Sequence, residues 1–428
     1  MPGGAAANCS RTRSSSPSRE RSNAVDARRL AHRHLVNERE RDRCGRTMIC
    51  ILTPYLGRDG GLAAHVGAAT DALRSAGHTV TAIGGRAEEG LTLPALALDE
   101  PTRGEVEDVA RAVAELSPDV VHLHDVHHPL LVSQLRKLAP VVVSAHNYPG
   151  CASNYYYFRP GRECTRAHGP LCLFHMGRYG GCLHGRDPRP IPRSYRMTQI
   201  RLAGMREADA TVAYSSAVLA NLHRNGLTRS YLVPLFTTVV VDLGQPEPEP
   251  VVLFAGRVVA AKGLEVLVRA MAEVPARLVV CGDGWASDRV RRVARAVGVA
   301  ERTEFLGWTG AGELGRRLAT CTVAVVPSLW PEPFGLAGIE AMAHARPVIA
   351  SNTGGVPDWL VHGQNGLLVP PGDPRALASA IRELLADPQR ARDMGEAGRR
   401  LVQSRFSPEA HVRALDEVYA AARRRHAA

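Results

Sequence analysis

The chain has 428 residues, of which 45% are hydrophobic and 22% charged, with a formal charge of +11. That length exceeds one ordinary core and implies two or three domains, and the composition is that of a globular protein. No apolar run reaches the ~18–20 residues needed to cross a bilayer, which leaves a soluble chain or one resting on a membrane surface.

Residues 1–47 hold eleven Arg against five acids, so more than half of the positive charge lies there. The rest is only mildly basic and poor in aromatics, which argues against a nucleic-acid groove. Residues 1–47 have no lasting apolar period and no apolar h-region. They read as a disordered basic tail, or as sequence upstream of a true start at Met48. Without a leader, nine cysteines point to a reducing, cytoplasmic setting.

From Met48 the pattern is strand, glycine loop, helix, repeated. MICILTP is a buried strand, and Gly60 and Gly61 open a helix that ends at Gly77. HTVTAIGG, DVVHLH and PVVVSAH are further short strands. Residues 241–250 form a proline- and acid-rich linker, after which VVLFAG, ARLVVCG, TEFLG, CTVAVVPS, RPVIAS and GLLVPP restart the alternation. The final stretch is an amphipathic helix with Ser407 as N-cap. This implies an α/β chain with two Rossmann-like, doubly wound parallel-sheet domains. The domains are 48–240 and 251–405, and a C-terminal helix spans 406–428.

The unusual residues follow the carboxyl ends of strands: Gly60–Gly61, His122, His124 and Asp125, His146, Gly256–Arg257, Gly282, Leu306–Gly307 and Ser328. Ligand crevices of open parallel sheets lie there, and two such edges facing each other make a cleft. In SLWPEPFGLAGIEAMA, Pro331 and Pro333 delay the helix to Phe334 or Gly335. The free amides at its start suit an anion such as a diphosphate. Glu332 and Glu340 flank them and suit sugar hydroxyls. In GRVVAAKG, Arg257 and Lys262 supply cations. Only Lys137 and Lys262 are lysines among 53 basic residues, so a compact ammonium at 262 has a specific use. No Asp-x-Asp pair marks a metal site in these loops. His122, His124, His127 and His128 lack metal-ligand spacing and read as packing and capping residues.

The spacing of Glu332 and Glu340 in PEPFGLAGIEAMAHARPVIAS, the following NTGGVPDWLVHGQNGLLVPPGD, and GR…KG, CGDGW and FLGW resemble the retaining glycosyltransferases of family 4. The resemblance covers roughly residues 48–425. It implies the GT-B fold and transfer of a sugar from a nucleoside diphosphate with its anomeric configuration kept and no required cofactor. It implies that Arg257 and Lys262 hold the diphosphate and that Glu332 and the Phe334–Gly335–Leu336 segment bind the donor. Glu340 would take the ribose, Leu306, Gly307 and Trp308 the base, and Gly60 and Gly61 the phosphates. Gly256 and Gly282 belong to the same donor-binding set. His146 would contact the donor sugar, and the last helix would cross back to the first domain.

Residues 151–185 form a Cys-rich insertion with Cys151, Cys164, Cys172 and Cys182. Their spacings are not the short hooks of common zinc sites, so zinc, disulfides and free thiols all stay open. Tyr155–Tyr157 could stack on an acceptor or join the core. The expected partners are a nucleotide sugar and a hydroxyl acceptor: a polysaccharide, a lipid-linked sugar or a natural product. Nucleic acid is not expected, peripheral membrane contact is open, and the setting is a bacterial cytoplasm. The alternatives are an epimerase-type or non-catalytic nucleotide-sugar binder of the same fold. Glu332→Gln and Lys262→Ala are expected to keep the fold and lose turnover.

Overall fold

The computed structural model describes residues 46–57, 61–87, 90–151, 158–159, 162–174, 191–238, 244 and 247–428. Residues 1–45 of the tail, Gly60, Tyr155–Tyr157, Cys182 and half of the expected linker lie outside them.

The first sheet is built from β1 (Met48–Leu56), β2 (Thr79–Ala87), β3 (Leu91–Thr92), β4 (Val120–His124), β5 (Val141–Ala145), β6 (Ala210–Ala213) and β7 (Ser230–Leu232). Their order is β3-β2-β1-β4-β5-β6-β7, all parallel. Helices α1 (Gly61–Ser75), α2 (Arg103–Leu116), α3 (Pro129–Leu135), α4 (Ile191–Glu207) and α5 (Ser216–Arg224) connect the strands. Both faces of β1, β4 and β5 are covered, which is why they read as unbroken apolar runs. Thr102 and Glu105 start α2 with a reciprocal capping box.

The second sheet comprises β8 (Val251–Ala255), β9 (Arg277–Cys281), β10 (Thr303–Gly307), β11 (Val323–Val326), β12 (Val348–Ser351) and β13 (Gly366–Val369). The order is β10-β9-β8-β11-β12-β13, again parallel. In both sheets the order reverses beside the first strand, so each domain has a switch-point crevice at the carboxyl ends. Helices α6 (Leu264–Ala270), α7 (Ser287–Ala296), α8 (Ala311–Thr320), α9 (Leu336–Ala343), α10 (Pro374–Ala386), α11 (Pro388–Arg405) and α12 (Pro408–His426) complete the chain. Among the described residues no helix is long and apolar enough to cross a membrane.

Ser407 caps α12 through the amide of Ala410 at 3.3 Å, and α12 then lies on the first domain. Tyr419 bonds His122 at 2.8 Å, His411 bonds the Pro234 carbonyl at 2.8 Å, and Arg423 donates to Thr47 at 2.8 Å. One apolar cluster runs without a break from β1 and α1 through α12 to α9 and Trp359. Each buried Leu or Val there contributes about 1.5–3 kcal/mol, so the two domains share a core rather than merely touching.

Where α12 crosses, five histidines converge: His65 on α1, His122 and His124 on β4, His146 after β5, and His411 on α12. His122 and His124 have ring centroids 4.2 Å apart, and His65 lies 5.4–6.2 Å from His411, His146 and His124. Burial lowers all five, and neighbouring rings reinforce it in His65, His122 and His124. His122 falls to about 3, His146 and His411 to about 4, and His65 and His124 sit well below the usual range.

These rings are neutral in the fold and protonate more readily when unfolded. Their stabilisation is full above the unfolded value of about 6.5 and is lost as pH falls through it toward the folded values. The slope is about 1.4 kcal/mol per pH unit for each histidine. Urea unfolding at a series of pH values should therefore show stability dropping steeply between about pH 6.5 and 4.5. A flat profile there would contradict the buried, neutral cluster.

Candidate active site

The loop after β8 turns at Gly256 and carries Arg257, whose side chain is exposed and makes no ion pair with any described residue. It continues through one 3-10 turn, Ala260–Lys262, to Gly263 at φ 72°. A Cβ at 263 would sit 1.8 Å from the Pro327 carbonyl oxygen, so only glycine lets this loop press on the one after β11. The Leu329 amide donates to the Ala261 carbonyl at 2.8 Å and fastens the two loops together.

That contact brings Lys262 to Glu332. The ammonium lies 2.8 and 2.9 Å from the two carboxylate oxygens. The Ser328 hydroxyl also donates to Glu332. Glu332 is only 3% exposed and Lys262 24%. Gly354, at φ 59°, packs directly on the Glu332 backbone, where a Cβ would come within 2.3 Å of its carbonyl oxygen. The Gly355 amide donates to the same carbonyl at 2.7 Å. Glu332 is thus fixed by a cation, a hydroxyl and a glycine turn.

Helix α9 begins at Leu336 with Gly335 as N-cap at φ 96°, a residue or two later than the sequence suggests. The Phe334 side chain is core: it meets Phe406 edge-on at 5.6 Å, and its carbonyl accepts from Trp359 Nε1 at 2.6 Å. Only its backbone can serve a ligand. The amides of Gly335 and Leu336 precede the first intrahelical bond and stay available to an anion. Glu340 lies further along α9, half-buried, and burial raises its carboxyl above the ordinary range.

Gly282 donates to the Gly307 carbonyl at 2.7 Å and Gly256 to Cys281 at 2.9 Å, which ties together the strand ends that hold Leu306 and Gly307. Trp308 and Trp285 project from them, 68% and 73% exposed.

The first domain reaches this site through Tyr148, whose hydroxyl donates to the Glu332 carbonyl at 3.1 Å. His146 lies two residues earlier, half-buried, with Nε2 2.9 Å from His124 Nδ1. Gly61 starts α1 and is exposed. Asp125 takes a left-handed φ of 57° beside His127 at 3.4 Å. Burial opposes its ionisation, but His127, His146 and Arg201 outweigh that and hold it well below the ordinary range. His128 starts α3 without a side-chain cap bond, so its capping role is not realised. Two further bridges cross the cleft: Glu163 accepts from the Thr353 hydroxyl and the Gly354 amide, both at 2.9 Å, and Asp358 accepts from the Ser216 amide at 2.7 Å. None of Tyr148, Glu163 and Asp358 stands out in the sequence, because each acts through a partner on another element; Ser328, singled out there, meets Glu332 four residues on. Cys151, Cys164 and Cys172 are free thiols, and no group of three or more metal-binding side chains forms among the described residues.

Two Rossmann-like domains joined by a returning C-terminal helix define the GT-B architecture. Residues 237–401 match the family model described as Glycosyl transferases group 1, and the C-terminal domain is a domain of that kind. The chain is similar to the uncharacterized glycosyltransferase MJ1607 of Methanocaldococcus jannaschii, 34% identical over 150 residues; the match covers 34% of this chain and 38% of that protein. It is also similar to the solved sucrose-phosphate synthase (tll1590) from Thermosynechococcus elongatus, with TM-score 0.63 and 25% identity over 88% of this chain and 98% of that one. Anabaena Alr3699/HepE, solved with UDP and glucose, has the same fold at TM-score 0.64 and 17% identity, covering 87% and 99% of the two chains.

Two predictions follow from these contacts. Lys262→Ala should not leave the fold untouched, as the sequence suggests, because it strands a buried carboxylate. The expected loss is about 1–3 kcal/mol, less than for a fully enclosed pair since the ammonium is partly solvated. Chemical denaturation would measure it. Glu340→Gln should raise the stability of the ligand-free protein at neutral pH, because the folded state disfavours the charged form. The difference should vanish as pH falls below the unfolded value of about 4.3; equal stability at neutral pH would contradict the burial.

Proposed function

We propose that the chain transfers a sugar from a nucleoside diphosphate to a hydroxyl acceptor, with the anomeric configuration kept and no metal taking part. The observation that carries this reading is the enclosed Lys262–Glu332 pair, set beside the free amides of α9. A nucleotide sugar needs cations and amide dipoles for its diphosphate and a fixed acceptor oxygen for its sugar hydroxyls. UDP and glucose in the Anabaena protein of the same fold support that ligand class.

In the ligand-free state Lys262 rests on Glu332. An incoming diphosphate would share the ammonium, draw in Arg257 and close on the α9 amides. Glu332 would keep that contact and accept hydroxyls of the donor sugar on its remaining lone pairs. Glu340 would meet the ribose, with Trp308 and Trp285 flanking the base. As the glycosidic bond breaks, negative charge gathers on the departing diphosphate, where the cations and dipoles already point. The acceptor would approach from the first domain on the same face, so no protein nucleophile is required.

The test is nucleoside diphosphate release from UDP-glucose, GDP-mannose, ADP-glucose and dTDP-glucose in EDTA, with a methyl glucoside acceptor. One donor should be turned over, and NMR of the product should show the donor's anomeric configuration. Glu332→Gln should cut turnover by about 10²-fold or more. Near-normal turnover in that variant, or an inverted product, would defeat the reading.

A further inference from the structure

We propose that His124 is a positioning residue that sets the tautomer of His146, so that His146 presents an Nδ1–H hydrogen-bond donor to the cleft. His124 Nδ1 and His146 Nε2 are 2.9 Å apart. Between two neutral imidazoles one nitrogen donates and the other accepts, and the bond alone does not say which. The surroundings decide it.

His124 Nε2 is buried and has no hydrogen-bond partner. If His146 donated, the His124 proton would have to sit on that nitrogen, as a buried N–H facing nothing. Such orphaned donors are rare because they lose their water without replacement. If His124 donates instead, its Nε2 is a bare ring nitrogen, which leaves no N–H stranded. The nearest imidazole cannot relieve the alternative. His122 spends Nδ1 on Tyr419 and Nε2 on Ser144, each at 2.8 Å. His65 Nε2 is itself buried and unpartnered.

His146 then accepts at Nε2 and carries its proton on Nδ1, which bonds to none of the described residues. Its ring is half-buried, at a position two residues before the tyrosine that reaches Glu332. Depression of both histidines by burial keeps the pair neutral. The inference sharpens the proposed transfer and rests on it for its kinetic part. His146 is a neutral donor to a sugar or diphosphate oxygen and does not take the acceptor's proton through Nδ1. The order of influence runs from β4 through His124 to the cleft.

The direct test is long-range proton–nitrogen correlation NMR on the full chain labelled with nitrogen-15 histidine, with His146 assigned by its loss in His146→Gln. The expected spectrum has a protonated, pyrrole-type Nδ1 and a bare, pyridine-type Nε2; the reverse pattern overturns the proposal. This readout does not depend on turnover, so it decides the tautomer even where the transfer reading fails.

The kinetic test uses the donor that wild type consumes, with folding checked by melting point. His124→Leu should lose roughly tenfold or more in kcat with little change in donor KM, the scale expected when an orienting partner is removed. His124→Asn, which keeps a donor near the Nδ1 position, should recover most of it. Equal activity of His124→Leu and wild type would overturn the positioning role, as would an Asn variant no better than Leu.

Discussion

The cleft depends on one buried ion pair. Glu332, at 3% exposure, is held by Lys262, and Lys262 reaches it only because Gly263 lets two strand-end loops touch. The glycine turn at 354–355 and the Tyr148 hydroxyl close around the same backbone. The contact that organises the second domain is therefore also the one the first domain grips.

Under the proposed transfer, the pair would also let a diphosphate bind without displacing any structural group. An ammonium has three donors and Glu332 uses it at two short distances, so a phosphate oxygen can be added rather than exchanged. Arg257 arrives from the same loop and pairs with no acid among the described residues. In the proposed transfer the charge needed by a departing diphosphate would thus be present before the ligand binds, which is what preorganisation requires. Glu340 is the opposite case: a carboxylate whose folded state disfavours its charge. Such a group stores destabilisation that a ribose hydroxyl can relieve.

Much of this was legible in the chain. Strands buried on both faces must be apolar runs, so both sheets announce themselves, and Lys262 stands out in a sequence that otherwise uses arginine. Glu332, Gly335 and Glu340 are close in sequence and sit on one turn and one helix, so local geometry alone relates them. Other features were not legible for an equally physical reason. His122 meets Tyr419 across 297 positions, and nothing near either residue signals the other. The short strands β3, β6 and β7 lie at or near a sheet edge, with too few residues to show a pattern. Glu163 lies in the two-residue strand Arg162–Glu163, too short to show a period.

The most direct test of the account is calorimetric titration of the purified chain with UDP, GDP, ADP and dTDP in EDTA, repeated for Arg257→Ala. The account predicts that one nucleotide binds without metal and that the Arg257 variant loses about tenfold or more in affinity, as expected when a charge-assisted phosphate contact is removed. Binding that appears only with a divalent cation, or that is indifferent to Arg257, would contradict a metal-free diphosphate site at the α9 N-terminus.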